Sequence, residues 1–195
     1  MPNKTKYDAN FTAGGIFYNE FSNLKSYVLE EGFEDLVKND IEENQILAIT
    51  TLSARKRIVS EIIRRHKIMP LVFWEFFQNL NESESRLALF YVCLKTYPIV
   101  FDLHFEVTVK KQKLGMELAE YDLQMRLDEL SSTSADVENW SEKTIKKINT
   151  QYRKAIKDAG LYHKDVLRKP LNINESFWVY FKENDEVWFL DACFI

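Results

Sequence analysis

Glycine and proline are scarce in this chain, five and four among 195 residues. So few turn-formers argue against a many-turned β architecture and for long helices. Cysteine is rarer still. Cys93 lies in an apolar run and Cys193 in an apolar tail. Both read as buried free thiols, which suits a reducing cytoplasm. Only three histidines occur, His66, His104 and His163. No His/Cys cluster has zinc spacing, and no glycine-rich phosphate loop, G-x-S-x-G elbow or H-E-x-x-H motif occurs. A spanning helix wants roughly 20 predominantly apolar residues. The most apolar region, Leu87 to Val109, is broken by Lys95, Pro98, Asp102, His104 and Glu106, so a membrane span is rejected. Met1 to Asn10 carries basic residues but no apolar run of the kind a targeting segment needs.

Apolar material is plentiful. Hydrophobic residues make up 46% and aromatics 14%, enough for a substantial core and against global disorder. The fold class expected is all-α, a multi-helix globular protein. Three regions are expected within one compact unit: 1–80, a central helical core at 81–133, and 134–195.

Along the chain, Ile16, Phe17, Phe21, Leu24, Val28 and Leu29 recur near helical spacing between Gly14-Gly15 and Gly32. A short helix follows from Phe33 to Ile41. Asn81 to Glu84 reads as a loop feeding a capped helix that runs to about Tyr97. Pro98 forces a break or a fresh start. A helical pattern continues from Ile99 to Leu114, weakened at Val107-Thr108-Val109, and another covers Tyr121 to Leu130. Ser131 to Ala135 is the best linker candidate. Gly160 is placed to end a helix running from Ser141 to Ala159. The aromatic tail, with Phe177, Trp178, Tyr180, Phe181, Trp188 and Phe189, reads as two short helices in preference to a β-ribbon wing.

Charge is divided unevenly. Ser53 to Lys67 has a net of +5 and Ser141 to Asp158 a net of +4, against a formal total of −4, which leaves −13 for the remainder. On a wheel of about 100° per residue, Ile145, Ile148, Tyr152, Ala155, Ile156 and Ala159 share one face of the second segment. Lys143, Lys147, Thr150, Lys154 and Lys157 lie nearly opposite, with Lys146 at the edge. In the first segment Ile58, Val59, Ile62 and Ile63 face inward, and Ser53, Arg57, Ser60, Arg64 and Lys67 form the outer line, flanked by Lys56. Arg55 falls on the apolar side and packs through its stem. The segments echo each other at an offset of 90: Lys56, Arg57, Ile58, Ser60, Ile62 and Arg64 match Lys146, Lys147, Ile148, Thr150, Tyr152 and Lys154.

A solvated face is the ordinary reading of one such helix. Two of the same sign in an acidic chain favour a polyanion. A helix of this kind fits a DNA major groove, about 12 Å wide, where Lys and Arg meet phosphates or guanine edges and hydroxyls add hydrogen bonds. Helix-turn-helix partners would come from Phe33 to Ile41 for the first segment and Asp136 to Trp140 for the second, although the first turn is long for a compact motif. The twelve outer residues named above are therefore the candidate contacts to double-stranded DNA. RNA is disfavoured, because no aromatic strand motif for stacking bases is evident. Asp102 and Glu106 could share a helical face and bind a metal, which keeps a nuclease as the weakest reading. A hydrogen-bonded structural role is preferred, and no metal, cofactor or enzyme activity is expected.

Several stretches also stand in a familiar order. They are Tyr7-Asp8-Ala9 with Thr12-Ala13-Gly14-Gly15, Glu43 to Leu47, Ser53 to Arg65, Leu87 to Val107, and Ser141 to Leu161 with Ala159-Gly160-Leu161. This order, over roughly the full length, resembles the BrxA family, small core proteins of bacteriophage exclusion (BREX) defence systems. The resemblance implies an all-α protein with two helix-turn-helix elements that binds double-stranded DNA. It also implies a bacterial cytoplasmic setting beside other BREX proteins, including a DNA methyltransferase and large ATPases. It carries the DNA contacts over by region, onto the two basic segments. The rival expectation is a protein-interaction adaptor within the defence complex.

Overall fold

A computed structural model describes residues 6–195. The reading of Met1 to Asn10 as free of a targeting run falls partly outside them. The N-terminal segment crosses the molecule as a strap, with one 3-10 turn at Asn10–Ala13. The first regular helix, α1 (Tyr18–Asn23), is shorter than the apolar spacing implies, because Leu24 to Leu29 form successive turns. Those turns still bury Leu24 and Val28 beside Phe21, so the stripe holds where the regular helix does not.

Helix α2 (Phe33–Glu43) stops at Asn44, which takes a left-handed conformation, φ 52°. The buried Asp40 carboxylate then accepts the backbone N–H groups of Gln45, Ile46 and Leu47 at 2.7, 2.8 and 2.9 Å. A carboxylate taking three N–H bonds fixes the turn that leads into α3 (Leu52–Ile68). Pro70 precedes α4 (Leu71–Gln78). Helix α5 (Glu82–Thr96) starts on a capping box, Asn81 with Glu84. It is apolar all round and buried all round from Leu87 to Leu94, as befits a central helix.

Pro98 opens α6 (Pro98–Asp102) at a first-turn position, where its missing N–H costs nothing. The chain then widens into a π-helical stretch, Leu103–Val109, before α7 (Lys110–Lys113). The β-branched Val107-Thr108-Val109 run therefore sits in a helix of unusual pitch. Helix α8 (Glu120–Thr133) extends through most of the expected linker. Ser131, Ser132 and Thr133 return their hydroxyls to the carbonyls of Leu127, Asp128 and Glu129, which keeps the small polar residues helical. One residue later α9 (Ala135–Glu138) begins, so Ser131 to Ala135 is a helix end and not a linker.

Three residues separate α9 from α10 (Glu142–Asp158), whose N-cap Ser141 accepts from the Thr144 N–H at 3.2 Å. Gly160, φ 78°, ends α10 as its position suggests. An antiparallel hairpin follows, β1 (Tyr162–His163) with β2 (Val166–Leu167). The aromatic tail forms two helices, α11 (Glu175–Glu183) and α12 (Trp188–Ala192).

The fold is all-α apart from this hairpin. One buried cluster runs from Tyr7 to Phe194 and draws on most of the helices. Among the described residues no single helix is long and apolar enough to cross a membrane. Helix α5 and the helix from Pro98 are apolar together but meet at a bend of 109°.

Candidate nucleic-acid interface

The two basic helices, so alike on a wheel, have different surroundings. In α10 the apolar residues Ile145, Ile148, Tyr152, Ala155 and Ile156 are buried, and Lys143, Lys146, Lys147, Thr150, Lys154 and Lys157 are exposed. None of the five lysines makes an ion pair among the described residues. They fall within an arc on the order of 100° and extend along about 21 Å of helix. Arg153, at the edge of this arc, is held by Glu120 at 2.8 Å and by Asn149 at 3.2 Å. Thr150 turns its hydroxyl to the Lys146 carbonyl, 2.9 Å away, with its oxygen still able to accept.

The back of α10 is pinned by a buried polar chain. His104, within the π-helical stretch, is fully buried. Its Nε2–H donates to the Ala192 carbonyl at 2.8 Å, so Nδ1 accepts from the Tyr152 hydroxyl at 2.8 Å. The Tyr152 oxygen is also 2.6 Å from the Thr108 hydroxyl. Burial lowers the His104 pKa to about 4, and pushes the Tyr152 hydroxyl well above its usual range. Tyr152 lies directly opposite the lysines on the wheel. This chain therefore sets the rotation of α10, and with it the direction the lysines face.

Helix α3 has the same outer pattern but spends much of it internally. Arg64 forms a two-pronged pair with Asp8 at 3.1 and 2.6 Å, and lies over the Tyr97 ring. The Asp8 bond is the main reason its guanidinium is held more firmly protonated than usual. Arg57 donates to the Thr12 hydroxyl. Lys67 pairs with Glu34 of α2 at 2.9 Å. The N-terminal strap thus engages both arginines of the expected outer line, Arg64 through an acid and Arg57 through a neutral hydroxyl, and α2 engages Lys67. Ser53, Lys56, Arg57 and Ser60 stay exposed, with no ion pair to Lys56 or Arg57 among the described residues.

Sequence reasoning missed Arg65. Its side chain is completely buried, donating to the Tyr97 hydroxyl at 3.0 Å and to the Gly14 carbonyl at 3.3 Å over the Phe17 ring. Tyr97 in turn donates to the buried Glu61 at 2.5 Å. The signal was present: on the wheel Arg65 falls beside Ile58 and Ile62, on the inward side. Arg55 is half-buried with an unpartnered Nε, in keeping with a packing role.

Asp102 is likewise engaged. It accepts from Arg126 at 2.8 and 3.0 Å and from the Tyr7 hydroxyl at 2.9 Å. Glu106 pairs with Lys110 at 2.6 Å. Among the described residues no group of three or more His, Cys, Asp or Glu side chains is arranged to hold a metal.

Fold and site together define a helical protein with a lysine face that makes no ion pair among the described residues, beside a short hairpin. Residues 5–184 match the BrxA family, and the chain belongs to it. Family membership implies a component of BREX defence. A BREX protein BrxA from Bacillus cereus (strain H3081.97) is 24% identical over 156 residues, spanning 76% of this chain and 78% of that protein. The fold is similar to the crystal structure of an uncharacterized protein from Magnetospirillum magneticum. That comparison has a TM-score of 0.77 and 18% identity, and covers 96% of this chain and 98% of the other.

Proposed function

We propose that this BrxA-family protein is the double-stranded DNA-binding component of a BREX phage-defence system, contributing binding and no chemistry of its own. Helix α10 is its principal contact. The observation that carries this reading is the row of five exposed lysines without an acidic partner among the described residues. In a chain of net charge −4, such a row attracts a polyanion locally while the remainder keeps the protein from binding one everywhere. Helices α9 and α10, joined by three residues, are read as a helix-turn-helix, the second helix lying in the major groove. Lysines in place of bidentate arginines suit phosphate contact with little sequence preference. Of the α3 residues, Ser53, Lys56, Arg57 and Ser60 remain candidates for a lesser contact. Arg64 and Lys67 do not, because each pairs with an acid within the protein. Restriction and methylation chemistry belongs to partners, and a DNA ligand implies the bacterial cytoplasm.

The test is duplex binding across a salt series. Lys147→Glu with Lys154→Glu should weaken binding at least tenfold and flatten the dependence of log K on log salt, by about 0.9 for each phosphate no longer neutralised. Unchanged binding by that folded variant rejects the proposal. The adaptor reading has its own observation. Tyr121 and Met125, one turn apart on α8, are 61% and 65% exposed, and such an apolar pair suits a protein partner. Abolished partner capture by Tyr121→Ser with Met125→Ser, at unchanged duplex binding, would assign that face to assembly.

A further inference from the structure

The hairpin after α10 contributes little to the core. Only Tyr162 and Leu167 turn inward, and each is half-buried. A two-stranded ribbon this short does not hold itself together in water. It is fastened instead at its base. The Tyr162 hydroxyl shares its single proton between the Leu118 carbonyl at 3.1 Å and the Asp165 carboxylate, and the Arg168 N–H donates to the Leu161 carbonyl at 3.0 Å. Tyr162 and Asp165 line one cleft with Arg153 of α10 and with Glu117 and Glu120, the latter paired to Arg153. Arg153 stands one turn from Lys157, so the hairpin rises beside an edge of the lysine face. It does not lie behind it.

The hairpin tip carries one base and one acid, and the chain leaving its second strand is basic. Lys164 and Asp165 form the tip, with φ 48° and 64°. Two successive positive φ values are the mark of a tight hairpin turn that Asn-Gly fills at least cost. A lysine there is strained by roughly 1–2 kcal/mol. The Asp165 carboxylate, 2.6 Å from the Tyr162 hydroxyl, is drawn back toward the hairpin base. Lys164, Arg168 and Lys169 are exposed and make no ion pair among the described residues. Val166, 53% exposed, is the outward apolar side chain of the second strand.

We infer that this hairpin is a second DNA-contacting element, a wing whose Lys164 tip meets the backbone and minor-groove rim next to the major groove held by α10, with Arg168 and Lys169 on flanking phosphates. The inference rests on the duplex-binding reading of α10 and extends it. A tip two residues wide suits a minor groove about 6 Å across, and short basic arms serve that role elsewhere. The wing fixes the direction of α10 along the duplex, which a single helix with phosphate contacts leaves free.

The decisive variant is Lys164→Asn with Asp165→Gly in the full chain. It leaves net charge unchanged and relaxes the turn, so thermal stability should hold or rise. Duplex affinity should nonetheless fall roughly three- to tenfold, with a salt slope shallower by about 0.9. Hydroxyl-radical footprinting should show weaker protection on one flank only. A minor-groove ligand such as netropsin should compete with the unaltered protein and have no effect on the variant. Should the turn variant fold poorly, Arg168→Ala with Lys169→Ala removes charge without touching the turn and should flatten the slope by up to about 1.8. Affinity, slope and footprint equal to those of the unaltered protein would overturn the wing while leaving α10 in place. Absence of duplex binding by the unaltered protein overturns both.

Discussion

Arg57 of α3 and Lys147 of α10 share a wheel position, as do Arg64 and Lys154. The two arginines are held by Thr12 and Asp8 of the strap, 45 and 56 residues away in sequence. The two lysines make no ion pair among the described residues, and of the two arginines only Arg64 meets an acid. Arg64→Ala is therefore expected to lower stability by about 1 kcal/mol, the pair being partly exposed, with duplex affinity unchanged within twofold. Lys154→Ala should do the reverse. Thermal melts and binding isotherms on the two variants check this. Local spacing shows the outer line of each helix, but it cannot bring a strap residue onto an arginine so distant in the chain.

His104 gives a second test at the same scale. Its pKa is near 4 in the fold and about 6.5 in an unfolded chain. The unfolded state therefore takes up the proton first as pH falls, so stability is full above about 6.5 and declines toward 4. The decline is on the order of 3 kcal/mol from this group. Melting temperatures from pH 7 to 4 should fall more steeply for the parent than for His104→Gln. Equal slopes would mean that the imidazole is not the group responsible.

Among the elements, α5 and α10 are the most legible in the sequence. The Asn81–Glu84 start and the breaks at Pro98 and Gly160 are local signals, and the local chain obeys them. Apolar spacing overextends the first helix, because a turn-rich segment can bury the same periodic residues as a helix. It also misplaces a linker at Ser131 to Ala135, because small hydroxyl residues suit a helix end when their side chains bond the preceding turn. The hairpin after α10 leaves no such trace. Two-residue strands carry too little periodicity, and Lys-Asp is not the usual tip. For α10 itself the cap is decisive. Ser141→Ala should cost about 1 kcal/mol and loosen the first turn, which carries Lys143. Slower amide exchange at that turn in the parent than in the variant would demonstrate it.

At the scale of the whole molecule, the placement of acids keeps the lysine face available. Acidic residues outnumber basic ones, 30 to 26, yet acids of the strap and of α2 lie against α3. Helix α10 has an acid-bonded residue only at its edge, Arg153, among the described residues. The division of charge visible in the sequence is real but symmetric there, and the fold makes it asymmetric. Binding of duplex DNA through α10 is tested most directly by its salt dependence, in the parent and in Lys147→Glu with Lys154→Glu, set beside Arg64→Gln. The expected result is a steep linear fall of log K with log salt for the parent, a flattened line for the α10 variant, and a line parallel to the parent for Arg64→Gln. Parallel lines for the parent and the α10 variant, with Arg64→Gln flattened instead, would contradict it.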